Sequence, residues 1–214
     1  MPSTAYAEYQ QNLTDVHRLV RLHRQESGAG RGRRGLGHLT RGGLLLLCAA
    51  WERYVETVAI EAAAFLGRRL PGHASLPPVP RQKVTNHAND GRNAWTAAQL
   101  NTPAWANVYV DAITRRADAL NTPKHQNLKP LFEQFLAVPD VAACWTGGAT
   151  ANDDFVTLRG EAAHRGAQSK YIHFGKLVEF EASVSLRVVE TDNFLSDHLR
   201  LLVLPHRRPW YRTL

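Results

Sequence analysis

The stretch GGLLLLCAAWERYVETVAIEAAAFL, residues 42–66, decides the fold. Leu44, Leu47, Trp51, Tyr54, Val55, Val58, Ala62, Phe65 and Leu66 recur at intervals of three and four, which places them on one face of an α-helix. Arg53 and Glu56 fall off that stripe. The apolar run Leu44–Trp51 stops at Glu52, far short of the roughly 20 residues that a membrane-spanning helix needs. The pattern predicts one long helix from about Leu39 to Leu70, with Gly67 and Pro71 marking its end.

The rest of the chain reads in the same period. Leu13, Val16, Leu19 and Val20 predict a first helix over residues 3–27, broken at Ser27-Gly28 and followed by the cationic loop RGRRG at 31–35. Residues 71–101 change character. PGHASLPPVPRQ carries four prolines and is not expected to form a regular helix, and NHANDGRN is rich in turn formers. This segment is either an insertion with short helices or a mobile surface loop. Asn-Thr-Pro at 101–103 opens a helix to about Leu120, and a second Asn-Thr-Pro at 121–123 opens a turn and a short helix through Leu136. Asn152, Asp153 and Asp154 read as cap and first-turn residues of a helix over 153–165 that Gly166 closes. A last long helix runs from about Phe174 to Leu204, buried along Leu177, Phe180, Val184, Val188, Leu195, Leu199 and Leu202. No run of strands stands out. The expected fold is all-α: an up-down bundle of four or five main helices with a Pro-rich insertion, in a single domain over 1–214.

Composition agrees with a globular chain. Of 214 residues, 44% are hydrophobic and 21% charged. Cys48 and Cys144 each lie in an apolar run and are expected to be reduced core thiols, which points to a cytoplasmic compartment. MPSTAYAEYQ is too polar for a secretory signal, so neither secretion nor membrane insertion is expected. The net charge of +7 is uneven. Residues 17–41 hold seven arginines against one glutamate, and residues 205–214 hold Arg207, Arg208 and Arg212. The remaining body is close to neutral. Arginine-rich ends suit phosphate contact, and equally a solvated basic face.

Most catalytic motifs are absent. No CxxC, HExxH or paired Glu-x-x-His spacing occurs, and neither cysteine has a metal-ligand partner nearby, so no metal or other cofactor is expected. RGRRGLGHLTRGG lacks a Walker lysine, and no G-x-S-x-G elbow is present. One segment remains: LRGEAAHRG at 158–166, in which Arg159 and His164 stand five apart. Five helical steps turn a net ~140°, so the two side chains do not share one narrow face. Taken alone, the segment equally describes an exposed helix end whose histidine complements the C-terminal dipole.

In context it resembles the Arg-x4-6-His motif of the HEPN superfamily of all-α ribonucleases, and the RiboL-PSP-HEPN branch most of all. Three features carry the resemblance over about residues 36–204. They are the long apolar helix with its Trp-Glu-x-Tyr-Val-Glu core, the stretch NTPKHQNLKPLFEQFLAVPDVAACW, and LRGEAAHRG followed by a long final helix. The family usually places a polar residue, most often Asn, directly after the motif arginine. Here Gly160 stands in that place.

The resemblance implies a metal-independent endoribonuclease of the defence or toxin type. RNA is the expected substrate, a homodimer the expected assembly, and an antitoxin or regulatory protein a further partner. Arg159 and His164 are the expected catalytic residues, two copies of each meeting in one cleft across a two-fold axis. A histidine can move protons near neutral pH, and an arginine can bind phosphoryl oxygens bidentately. Glu161 would orient or polarise His164, or is a surface residue. Glu52 would pair with Arg159, or is a helix-surface acid. Arg31, Arg33, Arg34, Arg41 and Arg165 would contact RNA, or are solvated charge. Trp51 and Trp145 read as core aromatics. The alternative is a non-catalytic HEPN-like module that dimerises and binds RNA or a protein, which Gly160 favours.

Overall fold

The computed structural model describes residues 1–27, 35–90, 94–165 and 172–213, and those residues form eight α-helices and no strand. Four are long: α1 (Thr4–Ser27), α2 (Gly37–Arg69), α7 (Gly148–Arg165) and α8 (Phe174–Leu202). Four are shorter: α3 (Pro78–Asp90), α4 (Ala94–Gln99), α5 (Trp105–Asp118) and α6 (His125–Leu136). The all-α expectation therefore holds.

The long helix read from residues 42–66 is the axis of the molecule. Its stripe is buried without exception, from Leu44 and Leu47 through Trp51, Tyr54 and Val58 to Leu66. α1 lies antiparallel to α2: Ala5 at its start donates to Glu61 at 3.1 Å, while Leu19 near its end meets Gly42. α8 runs parallel to α2, with Leu177 against Gly43 and the Tyr54 hydroxyl donating to the Val188 carbonyl at 3.2 Å. α7 runs antiparallel to both, with Phe155 against Phe180 and Arg159 against Glu52. Two glycines let the helices close. A Cβ at Gly43 would stand 2.7 Å from Leu177 Cδ2, and one at Gly67 would stand 3.0 Å from the Ala106 Cβ of α5.

Two local expectations need correction. PGHASLPPVPRQ does contribute regular helix, because α3 begins at Pro78. Pro78 and Pro80 sit in its first turn, where backbone N–H groups lack intrahelical acceptors and proline costs no hydrogen bond. Val84 and Ala88 of that helix are buried, so the described part of 71–101 forms short helices, and α3 packs on the body. Second, α7 begins at Gly148, in left-handed backbone at φ 63°, and not at Asp153. Asp153 caps a neighbour instead, and Asn152 holds the turn that precedes it. Asp153 Oδ1 accepts the His125 N–H at 2.8 Å, at the start of α6, and the fully buried Asn152 donates to the Pro123 carbonyl at 2.9 Å. The second Asn-Thr-Pro turn is thus fastened to α7.

The core has a charged centre. Arg187 of α8 is 3% exposed and stacks between Trp51 and Trp145 at 5.4 and 5.5 Å. Its Nη1 donates to Asn152 Oδ1 at 3.3 Å. Burial lowers its pKa to about 10. Trp51 and Trp145 are core residues, as expected, and Trp145 Nε1 donates to Thr191 at 2.8 Å. Both cysteines are free thiols, Cys48 buried and Cys144 half-buried.

Candidate active site

The site is assembled by α7 crossing α2. Arg159 lies on the half-buried flank of α7 and extends its guanidinium to Glu52, with Nη2 to Oε2 at 3.5 Å. The arginine side chain is 27% exposed and the carboxylate 18%. Burial raises the Glu52 pKa, and the adjacent Arg159 charge draws it back down. The acid expected either to pair with Arg159 or to lie idle on the helix surface does pair with it.

Two neighbours complete this corner of α2. Cys48, one turn before Glu52, lies beside Arg159; burial pushes its thiol up to about 11, which keeps it protonated at neutral pH. Glu56, one turn after Glu52, has its pKa raised by burial and then by the Glu52 charge, and its carboxylate stands 3.8 Å from Arg53. The sequence marks Cys48 as a core thiol and Glu56 as off the apolar stripe, and assigns neither to the site. The signal for both was helical spacing: 48, 52 and 56 are successive i+4 positions on one face.

His164 sits five residues further along α7, about 1.4 turns, and is exposed. The ~140° offset between the two motif residues is thus realised: Arg159 turns toward α2 while His164 faces outward. Glu161 is half-buried, and no hydrogen bond or ion pair among the described residues joins it to His164. Within one chain the structure brings Arg159 to Glu52 and leaves His164 apart. Gly160 faces open space, with nothing within 4 Å of where its Cβ would stand. Of the five arginines expected to contact RNA, only Arg41 is described, half-buried on α2. Arg31, Arg33 and Arg34 lie outside the described residues, and so does the side chain of Arg165.

The family model RiboL-PSP-HEPN matches residues 9–197, spanning α1 to most of α8. The chain belongs to the RiboL-PSP-HEPN family. The match covers the full Arg159–His164 segment and the crossing of α7 over α2 that holds Arg159. HEPN domains are often ribonucleases. No curated protein and no solved structure matches the chain. Among the described residues, no cluster of three or more His, Cys, Asp or Glu could hold a metal ion, and no helix is long and apolar enough to cross a membrane. Arg159 is held by a carboxylate from another helix, while His164 on the same helix is exposed.

Proposed function

We propose that this HEPN protein is a metal-independent endoribonuclease whose catalytic residues are Arg159 and His164. The observation that carries the reading is the division of labour on α7: a guanidinium fixed by Glu52 at 3.5 Å, and an imidazole open to solvent. A homodimer supplies two of each around one scissile phosphodiester. One imidazole removes the proton from the substrate 2′-hydroxyl as its oxygen attacks phosphorus. The other gives a proton to the departing 5′-oxygen, leaving a 2′,3′-cyclic phosphate and a 5′-hydroxyl. The two guanidinium groups stabilise charge on the equatorial oxygens. Glu52 acts as a positioning residue, since it removes rotamer freedom from Arg159 before substrate arrives. A defence or toxin role, with an antitoxin or regulatory protein as partner, belongs to the same reading.

The test is RNA cleavage by purified protein in EDTA, with end-group analysis of the products. Cleavage that yields cyclic phosphate ends and disappears in both His164→Ala and Arg159→Ala supports the assignment. Cleavage that persists in both variants overturns it.

Gly160 favours a second reading, a non-catalytic HEPN module that dimerises and binds RNA or protein. Open space surrounds this glycine, so packing does not require it, and the side-chain hydrogen bond of the usual polar residue is missing. A stable dimer with salt-dependent RNA affinity and no turnover supports that reading instead.

A further inference from the structure

An open cleft of about 820 Å³ lies where the two ends of the chain meet, with Met1–Pro2 on one wall and residues 206–211 on the other. The walls are tied together. The Tyr211 N–H donates to the Met1 carbonyl at 2.9 Å, Trp210 Nε1 donates to the Asp192 carbonyl at 3.0 Å, and Ser196 Oγ donates to the Trp210 carbonyl at 2.6 Å. The volume falls within the roughly 300–1,000 Å³ typical of small-molecule sites.

The charges around it are not equivalent. Arg208 is engaged by Asp197 and Ser196, and Arg212 also reaches Asp197, at 3.4 Å. Glu61 also lines the cleft, but its carboxylate accepts the Thr4 and Ala5 N–H groups at 3.1 Å each, so its charge is turned onto the positive end of α1. Two guanidinium groups are left over. Arg200 and Arg207 line the cleft, both are exposed, and neither has a carboxylate partner among the described residues. Tyr211, which also lines the cleft, is 73% exposed. Planar cations bind phosphate oxygens bidentately, and an exposed aromatic ring offers a base a stacking surface.

We propose that this cleft binds the phosphate monoester of a nucleotide, with Arg200 and Arg207 on the phosphate and Tyr211 against the base. It is separate from the Arg159 corner. Glu52 and Glu61 are nine residues apart on α2, which is ~14 Å along the axis and half a turn around it. The cleft therefore opens on the opposite flank of the central helix, and the proposal stands whether or not Arg159 and His164 cleave RNA. The monoester has two possible sources: a free nucleotide, or the 5′-phosphorylated end of an RNA strand.

Isothermal titration of the full chain with three probes tests this. They are AMP and a 2′-O-methyl tetranucleotide with and without a 5′-phosphate, the methyl group preventing cleavage by 2′-hydroxyl attack. Saturable binding of a phosphorylated probe is expected. It should weaken at least tenfold in Arg200→Ser/Arg207→Ser, two surface changes whose folding is checked by circular dichroism. Binding of AMP assigns the site to a free nucleotide; binding of the phosphorylated tetranucleotide alone assigns it to an RNA end. The proposal is overturned if neither phosphorylated probe saturates, if the 5′-hydroxyl tetranucleotide binds as well as its phosphorylated form, or if the double variant binds like the parent.

Discussion

Arg159 of α7 and Glu52 of α2 meet at 3.5 Å across the crossing of the two helices, each largely withdrawn from water. A half-buried pair of this kind is costly to break one partner at a time, because the survivor keeps its desolvation penalty without its counter-charge. Glu52→Ala and Arg159→Ala are each expected to destabilise the fold by about 1–2 kcal/mol, and the double variant by less than their sum. Urea unfolding of the four proteins gives the coupling energy. Strict additivity would mean that the pair holds nothing in place.

Gly160 is a helical glycine surrounded by open space. Gly160→Ala should stabilise the protein by about 0.5–1 kcal/mol, through the entropy that glycine loses in a helix. Gly160→Asn, which restores the polar residue usual in the family, should raise RNA cleavage severalfold over the parent. A thermal melt reads the first effect and initial cleavage rates the second. If parent and Gly160→Asn are both inert while binding RNA, the non-catalytic reading prevails.

The Leu177 methyls occupy the space that a side chain at Gly43 would need, with 2.7 Å between Cδ2 and the position of the missing Cβ. Gly43→Ala should therefore cost about 1–3 kcal/mol by overpacking the contact of α2 with α8, despite the better helix propensity of alanine. Adding Leu177→Ala should recover part of the loss due to Gly43→Ala. Both effects appear as shifts in the urea midpoint at constant slope.

Asp192 is fully buried on α8, accepts from Ser3, and has its pKa raised by burial to about 6. An acid whose folded pKa exceeds its unfolded value near 3.9 holds its proton more tightly when folded. Its contribution to stability is then fully present below about pH 4 and is lost as the pH rises to about 6. A shift of that size corresponds to about 3 kcal/mol. Asp192→Asn should remove this component, so the difference in unfolding free energy between parent and variant should change between pH 4 and 7. A difference that stays flat over that range would contradict the raised pKa.

The helices were legible wherever their apolar spacing was long and regular. The stripe of α2 and most of the stripe of α8 could be read residue by residue, because each such side chain faces another helix. The insertion was less legible. Four prolines argue against helix only if they fall in its interior, and which of them stand in a first turn depends on where the chain is pinned by Leu76, Val84 and Ala88. Asn152 and Asp153 carry a clear capping signature, yet Asp153 caps another helix and Asn152 holds the turn before it. Their partners, Pro123 and His125, lie nearly thirty positions earlier. The site was half legible: the Arg159–His164 spacing stood in one segment, whereas Cys48 and Glu56 came to that corner only through the crossing of α7 over α2.

By itself the sequence determined that this chain is helical, where α1, α2 and α8 lie, and that Arg159 and His164 share one helix on different faces. Those properties follow from local periodicity, which needs no knowledge of neighbours. Tertiary structure alone decided that Glu52 anchors Arg159, that Arg187 is enclosed between Trp51 and Trp145, and that Asp197 engages Arg208 and Arg212 while Arg200 and Arg207 meet no carboxylate among the described residues. Each of these depends on which side chains meet across helices, and desolvation and pairing of charge are set by that meeting and by no single stretch of chain.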